Sequence, residues 1–200
     1  MKILIATTNK RKTSEIVAIL QGERTIPWQF SPMPKLSEPD EPYSSFIENA
    51  CHKAKYYGGR LNMPALSEDT GLCVSALNQF PGIRTKDFIE ENHTINNAIE
   101  ALERKLQNTS DNTATFVCAS ALYIPALDIM LSHEARETGY LTFPARGEDG
   151  FGFDPVFVPH GYHQTIAELG SNIKNQHGHR AMAIKGLLHE LHEVLRCHFL

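Results

Sequence analysis

Hydrophobic and polar positions change period several times along this chain. Ile3 to Ala6 is a short apolar run, which predicts a buried strand opening the fold. The polar turn Thr7-Thr8-Asn9 follows. Lys10 to Leu20 then carries Ile16, Val17, Ile19 and Leu20 on one side, a helical pattern that Thr8 or Asn9 can cap. Thr25 to Phe30 reads as a second strand. Ser31 to Tyr43 contains Pro32, Pro34, Pro39 and Pro42 and reads as a loop. Phe46, Ile47, Ala50 and Ala54 predict a helix over Phe46 to Tyr57. Ala65 to Ser67 and Leu72 to Val74 are expected to be strand pieces flanking a turn at Glu68 to Gly71. A helix is predicted from about His93 to Leu106. Thr113 to Tyr123 and Asp128 to Thr138, joined around Pro125, predict a hairpin of a more antiparallel lobe. Val156 to Val158 reads as a short strand. The last helix is expected from about Gln176 to Arg196, with Ala183, Leu187, Leu188, Leu191 and Val194 as its inner stripe. This order predicts an α/β fold, a mixed sheet flanked by helices, with two lobes around a cleft in a single domain spanning residues 1–200.

Charge and cysteine usage narrow the function classes. A net charge of -4 disfavours nucleic-acid binding, which relies on a broad basic surface. It still permits a small anion where a few cations are focused. Cys51, Cys73, Cys118 and Cys197 show no C-x-x-C spacing and read as reduced thiols, not a zinc site. His189 and His192, three apart on a helix, read as surface residues. The first apolar run is too short for a signal peptide, and no stretch is long enough to span a bilayer, so the expected location is cytoplasmic with no membrane partner.

Four segments concentrate candidate chemistry, and each also has a plainer explanation. Between Pro144 and Pro159, glycines, Phe151, Phe153 and Asp154 crowd together, as a flat ligand would require; a Gly-rich loop feeding a strand would look similar. Thr7-Thr8-Asn9-Lys10-Arg11-Lys12 places a helix start, with its outward N–H groups, beside donors and a lysine one turn in. That suits a phosphate, or it is simply a capped surface helix. Glu68-Asp69-Thr70-Gly71 offers adjacent carboxylates for a hard divalent cation or for deprotonating water, or is an exposed acidic turn. Lys174 to Arg180 gathers donors where cations oppose the helix dipole, which makes mere surface decoration a poorer explanation.

The order of these blocks resembles the inosine triphosphate pyrophosphatase family, the Ham1-type enzymes. Thr7-Thr8-Asn9-Lys10-Arg11-Lys12 is similar to the family's opening motif, with Thr8 in place of a glycine. Phe46-Ile47-Glu48-Asn49-Ala50 with Lys53-Ala54, Glu68-Asp69-Thr70-Gly71-Leu72, Pro81-Gly82-Ile83, Phe151-Gly152-Phe153-Asp154-Pro155, Thr165 to Leu169 and Lys174 to Arg180 resemble its later motifs. The departures are Gly178 where the family often has serine, and Arg84 to Asp87 after the Pro-Gly turn.

The resemblance implies cleavage of ITP, dITP and XTP to the monophosphate and pyrophosphate. It also implies Mg2+, a homodimer and an elongated mixed sheet. It implies that Asp69 activates water or holds the metal, with Glu41 as a further metal ligand. Thr7, Thr8, Asn9, Lys12, Thr70 and Lys174 would grip the triphosphate, with Lys12 also catalytic. Phe151, Gly152, Phe153 and Asp154 would border the base, and His179 and Arg180 would donate to its 6-oxo group. Lys12, Asp69 and Lys174 would converge on one bound polyphosphate. The alternatives are a Maf-like pyrophosphatase, whose Ser-x-Arg-Arg opening Thr7-Thr8-Asn9 does not match, and a regulator without catalysis.

Overall fold

The structure, a computed structural model, describes residues 1–199, with side chains described to Arg196, so Cys197 lies outside the described side chains. Six strands form one mixed sheet in the order β2-β1-β3-β4-β5-β6. The strands are β1 (Lys2–Ile5), β2 (Gln29–Ser31), β3 (Ala65–Val74), β4 (Thr113–Ile124), β5 (Ile129–Leu141) and β6 (Phe157–Pro159). β1 runs parallel to β2 and to β3, with Ile3 opposite Phe30 and Leu4 opposite Ala65. β5 and β6 are antiparallel, with Tyr140 opposite Val158. β4 and β5 are sheet neighbours joined only by the turn Pro125–Leu127 and Asp128. So short a connection makes the expected hairpin. The helices are α1 (Lys10–Gly22), α2 (Phe46–Leu61), α3 (Thr85–Glu91), α4 (Ile95–Leu106), α5 (Ile166–Leu169), α6 (Ser171–His177) and α7 (His179–Phe199). None of them is long and apolar enough to cross a membrane.

The chain divides into two compact units. The first holds residues 1–69, 118–135 and those from Arg180 on; the second holds 70–117 and 136–179. In the first, the two-residue period of β1 sends side chains to opposite faces. Ile3 and Ile5 pack with Ile16 and Leu20 of α1 and with Ile184, Leu187 and Leu191 of α7. Leu4 and Ala6 pack with Tyr57 of α2 on the other face. Each fully buried large side chain of this kind contributes about 1.5–3 kcal/mol. In the second unit, Phe88, Leu102, Phe116, Phe153, Phe157 and Ile166 form a separate core.

Four expectations need correction. β2 is confined to Gln29–Ser31, because Pro27 lacks the N–H a longer strand would use. The break expected at Glu68 to Gly71 does not exist, since β3 runs unbroken from Ala65 to Val74. A buried carboxylate is tolerated inside a strand when a cation meets it, and local sequence cannot show that partner. The final helix is two helices divided at Gly178, which is extended (φ -68°, ψ 166°). A Cβ at Gly178 would lie 2.7 Å from the carbonyl oxygen of Lys174. Val156, read as the first residue of a strand, lies in a turn ahead of β6, and the short helices α3 and α5 were not among the predicted elements.

Candidate active site

Consecutive residues on a strand face opposite ways, and β3 uses this to separate its two acids. Glu68 shares the parity of Leu66 and meets α1 and α7; Asp69 shares the parity of Ala65 and meets α2. The Glu68 side chain is 1% exposed and lies 3.0 Å from the Lys12 ammonium. Arg180 holds it in a fork, Nε to Oε2 at 2.6 Å and Nη2 to Oε1 at 3.0 Å. The remaining Nη1 of Arg180 donates to Glu15 of α1. Burial alone would raise the Glu68 carboxyl, but Arg180 and Lys12 together hold it well below the usual carboxylate range. Glu68 is therefore a fixed negative charge.

Asp69 behaves in the opposite way. Burial dominates and raises its carboxyl, against the Lys53 ammonium at 3.5 Å and the Asn49 amide, which donates at 3.3 Å. Lys53 also reaches Glu41 at 2.7 Å, so Glu41 and Asp69 share one cationic group. Among the described residues no three His, Cys, Asp or Glu side chains gather as a metal cage. A pair of carboxylates already sharing a cation nevertheless fits magnesium, which takes one or two carboxylates and completes its shell with water and phosphate oxygens.

The turn before α1 is built as a cap. Asn9 Oδ1 accepts from the N–H groups of Arg11 and Lys12, at 3.0 and 3.2 Å. Thr7 Oγ1 accepts from the Asn9 N–H at 3.2 Å, and Thr8 donates to Glu38. This fixes the first turn of α1 and aims Lys12 at β3.

In the second unit, Lys174 and Asp154 form a buried pair at 2.7 Å, their side chains 4% and 2% exposed. The same Asp154 oxygen accepts from the Phe151 N–H at 2.7 Å, and the Lys174 ammonium lies 4.3 Å from the centre of the Phe151 ring. Gly150, at φ +80°, is required here, because a Cβ would sit 2.3 Å from Asp154 Oδ2. Asp149 accepts from the Ser171 and Gly150 N–H groups, and these bonds hold its carboxyl below the usual range. His179, 2% exposed, stacks on Phe116 with ring centres 4.5 Å apart.

A model of the Ham1 family matches residues 3–190. The chain belongs to the Ham1 family. It is 40% identical to a dITP/XTP pyrophosphatase of Aquifex aeolicus, covering 96% of each chain. Against one from Caulobacter vibrioides it is 37% identical, covering 93% of this chain and 95% of the other. It is also similar to the solved Ham1 protein of Coxiella burnetii, with a TM-score of 0.84 at 31% identity, covering 96% and 99% of the two chains. This membership sets aside the Maf-like alternative.

For a Ham1-family chain, the anticipated residues fall in both units. Thr7, Thr8, Asn9, Lys12, Glu41, Asp69 and Arg180 belong to the first, and Thr70, Phe151, Gly152, Phe153, Asp154, Lys174 and His179 to the second. Lys12 and Arg180 meet at Glu68, and Glu41 and Asp69 at Lys53. Phe153 is 1% exposed and stacks on Phe88, so it belongs to the core beneath the segment. Three ionic partnerships were not read from the sequence, those of Glu68, Lys53 and Glu15, although Glu68 was marked there as a candidate carboxylate. A weak signal existed for two of them. Glu15 follows Lys12 by three on α1, and Lys53 follows Asn49 by four on α2, so each pair shares a helix face.

Proposed function

We propose that this Ham1-family chain hydrolyses deaminated purine nucleoside triphosphates, dITP, ITP and XTP, to the monophosphate and pyrophosphate. The observation that carries the reading is Asp69, a buried carboxylate raised above its ordinary range, beside Lys53 and Glu41. A carboxylate so placed is a stronger base than a solvated one. Water attacks the α-phosphorus, the bond to the bridging oxygen breaks, and pyrophosphate leaves. The proton released by the water passes to Asp69 and then to solvent. Glu41 and Asp69 would hold Mg2+, which would supply charge neutralisation at the phosphate oxygens.

The other residues bind and orient. Lys12 and Lys174 supply charge to the triphosphate, with donors from Thr7, Thr8, Asn9 and Thr70. Phe151 offers a ring face to the base, Gly152 gives the turn beside it, and Asp154 fixes both Phe151 and Lys174. His179 donates to the 6-oxo group. Arg180 was expected to donate to the 6-oxo group beside His179; because its Nε, Nη1 and Nη2 engage Glu68 and Glu15, we assign it instead to holding Glu68 in place and through it Lys12. An adenine amine would leave the buried donor unpaired, which a site built around a carbonyl oxygen penalises. A homodimer of single-domain subunits in the cytoplasm completes the proposal.

The test is product analysis over dITP, ITP, XTP, GTP and ATP, with and without Mg2+. The expected result is pyrophosphate, fastest from the deaminated nucleotides and dependent on the metal. Release of orthophosphate, or equal rates on all five, would refute the reading.

A further inference from the structure

The His179 ring is fixed from two sides by groups outside the sequence motifs. Glu137, on the inward-facing register of β5, places Oε2 3.0 Å from His179 Nδ1 and 2.9 Å from the His179 backbone nitrogen. The Glu137 side chain is 12% exposed and that of His179 2%, so the contact is largely shielded from water. Phe116 of β4 lies against the ring face with the planes 20° apart. One carboxylate oxygen thus accepts from the first N–H of α7 and from the ring, while an aromatic plate stops the ring from turning.

We infer that Glu137 is the positioning residue for base recognition. The inference rests on the reading of His179 given above. An ionised carboxylate can only accept, so Nδ1 must carry a proton. Any hydrogen bond from the ring to a base must therefore come from Nε2. In neutral imidazole with Nδ1 protonated, Nε2 is an acceptor, which would suit the 6-amino group of adenine. In imidazolium it is a donor, which suits the 6-oxo group of a deaminated purine. The negative charge of Glu137 at 3.0 Å works for the imidazolium, against the burial that disfavours it. Glu137 therefore sets both where the ring points and which purine it prefers.

The experiment compares kcat/KM for ITP and for ATP in the wild type, Glu137→Ala and Glu137→Gln, with thermal melts of each. Glutamine can still accept from both N–H groups but carries no charge. In Glu137→Ala the ITP value should fall roughly ten- to a hundredfold, as for loss of a charged hydrogen bond, while the ATP value holds within about twofold. Glu137→Gln should melt close to the wild type and lie between the two in its ITP-to-ATP ratio. Equal losses on ITP and ATP, or an unchanged ratio in Glu137→Ala, would overturn the inference while leaving the proposed reaction intact. A wild type that cleaves ITP and ATP alike would overturn the base-recognition reading and this inference together.

Discussion

Replacing Arg180 by methionine tests the buried charge cluster of the first unit directly. In the wild type, Arg180 contributes two of the four contacts that hold the Glu68 carboxylate, at 2.6 and 3.0 Å, beside Lys12 and the Cys118 thiol. Arg180→Met keeps much of the side-chain volume but leaves Glu68 with the Lys12 ammonium at 3.0 Å and the weakly donating Cys118 thiol at 3.6 Å. Removing one partner of a buried ion pair costs about 3–5 kcal/mol, because the remaining charge stays desolvated. Lys12 still compensates in part, so the lower end, about 3 kcal/mol, is expected. For a chain of this size that is a fall of roughly 6–12 °C in the unfolding midpoint.

The pH dependence has a definite sign. In the wild type the folded Glu68 carboxyl lies below its unfolded value, about 4.3. Its stabilisation is complete above that value and is lost as pH falls through the lower folded one. In the variant, burial outweighs the remaining cation, and the folded carboxyl moves above the unfolded value. Protonation then relieves the penalty, so the gap between variant and wild type should narrow from about pH 7.5 to about pH 5. Urea unfolding can be followed by the fluorescence of Trp28, the one tryptophan, which packs at the margin of the first unit's core. A gap under about 1 kcal/mol at neutral pH, or one that widens on acidification, would refute the reasoning. Adding Glu68→Gln should restore part of the loss.

Three other substitutions probe separate parts of the molecule. Asp69→Asn should lower kcat by about a hundredfold or more while nucleotide binding persists, and a near-normal rate would remove Asp69 from the chemistry. Because burial raises the Asp69 carboxyl, it should titrate above the ordinary aspartate range in the metal-free protein, as NMR would measure, and Mg2+ should bring it down. Lys174→Met strands Asp154 in a buried position and should destabilise by about 3–5 kcal/mol, which calorimetry would measure. Ser120 is wholly buried with a hydroxyl that has no hydrogen-bond partner, so Ser120→Ala should be neutral or stabilise by up to about 1 kcal/mol in urea titrations. A clear loss of stability would show that the hydroxyl is satisfied.

Legibility followed the range of the forces involved. α1 was readable because its apolar spacing and its Asn9 cap are both local. The β4–β5 hairpin was readable because a short turn leaves one way to pair. β3 was misread because Glu68 and Asp69 look like a turn until their partners are known. The gap at Gly178 was missed because a single glycine does not break a helical period by itself. The extended backbone there brings a carbonyl one turn earlier so close that no side chain fits, which is why glycine holds the position.

Composition, periodicity and the order of motifs thus determined the α/β class, most elements and the family. They also marked Asp69, Lys12, Lys174 and His179 as chemical candidates. Only the tertiary structure decided which side chains meet them. Arg180 and Glu68 stand 112 positions apart, and no local pattern pairs them. Once they meet in a place closed to water, the same burial that would neutralise an isolated acid leaves Glu68 ionised, whereas Asp69, on the opposite face of the strand, is pushed toward its protonated form.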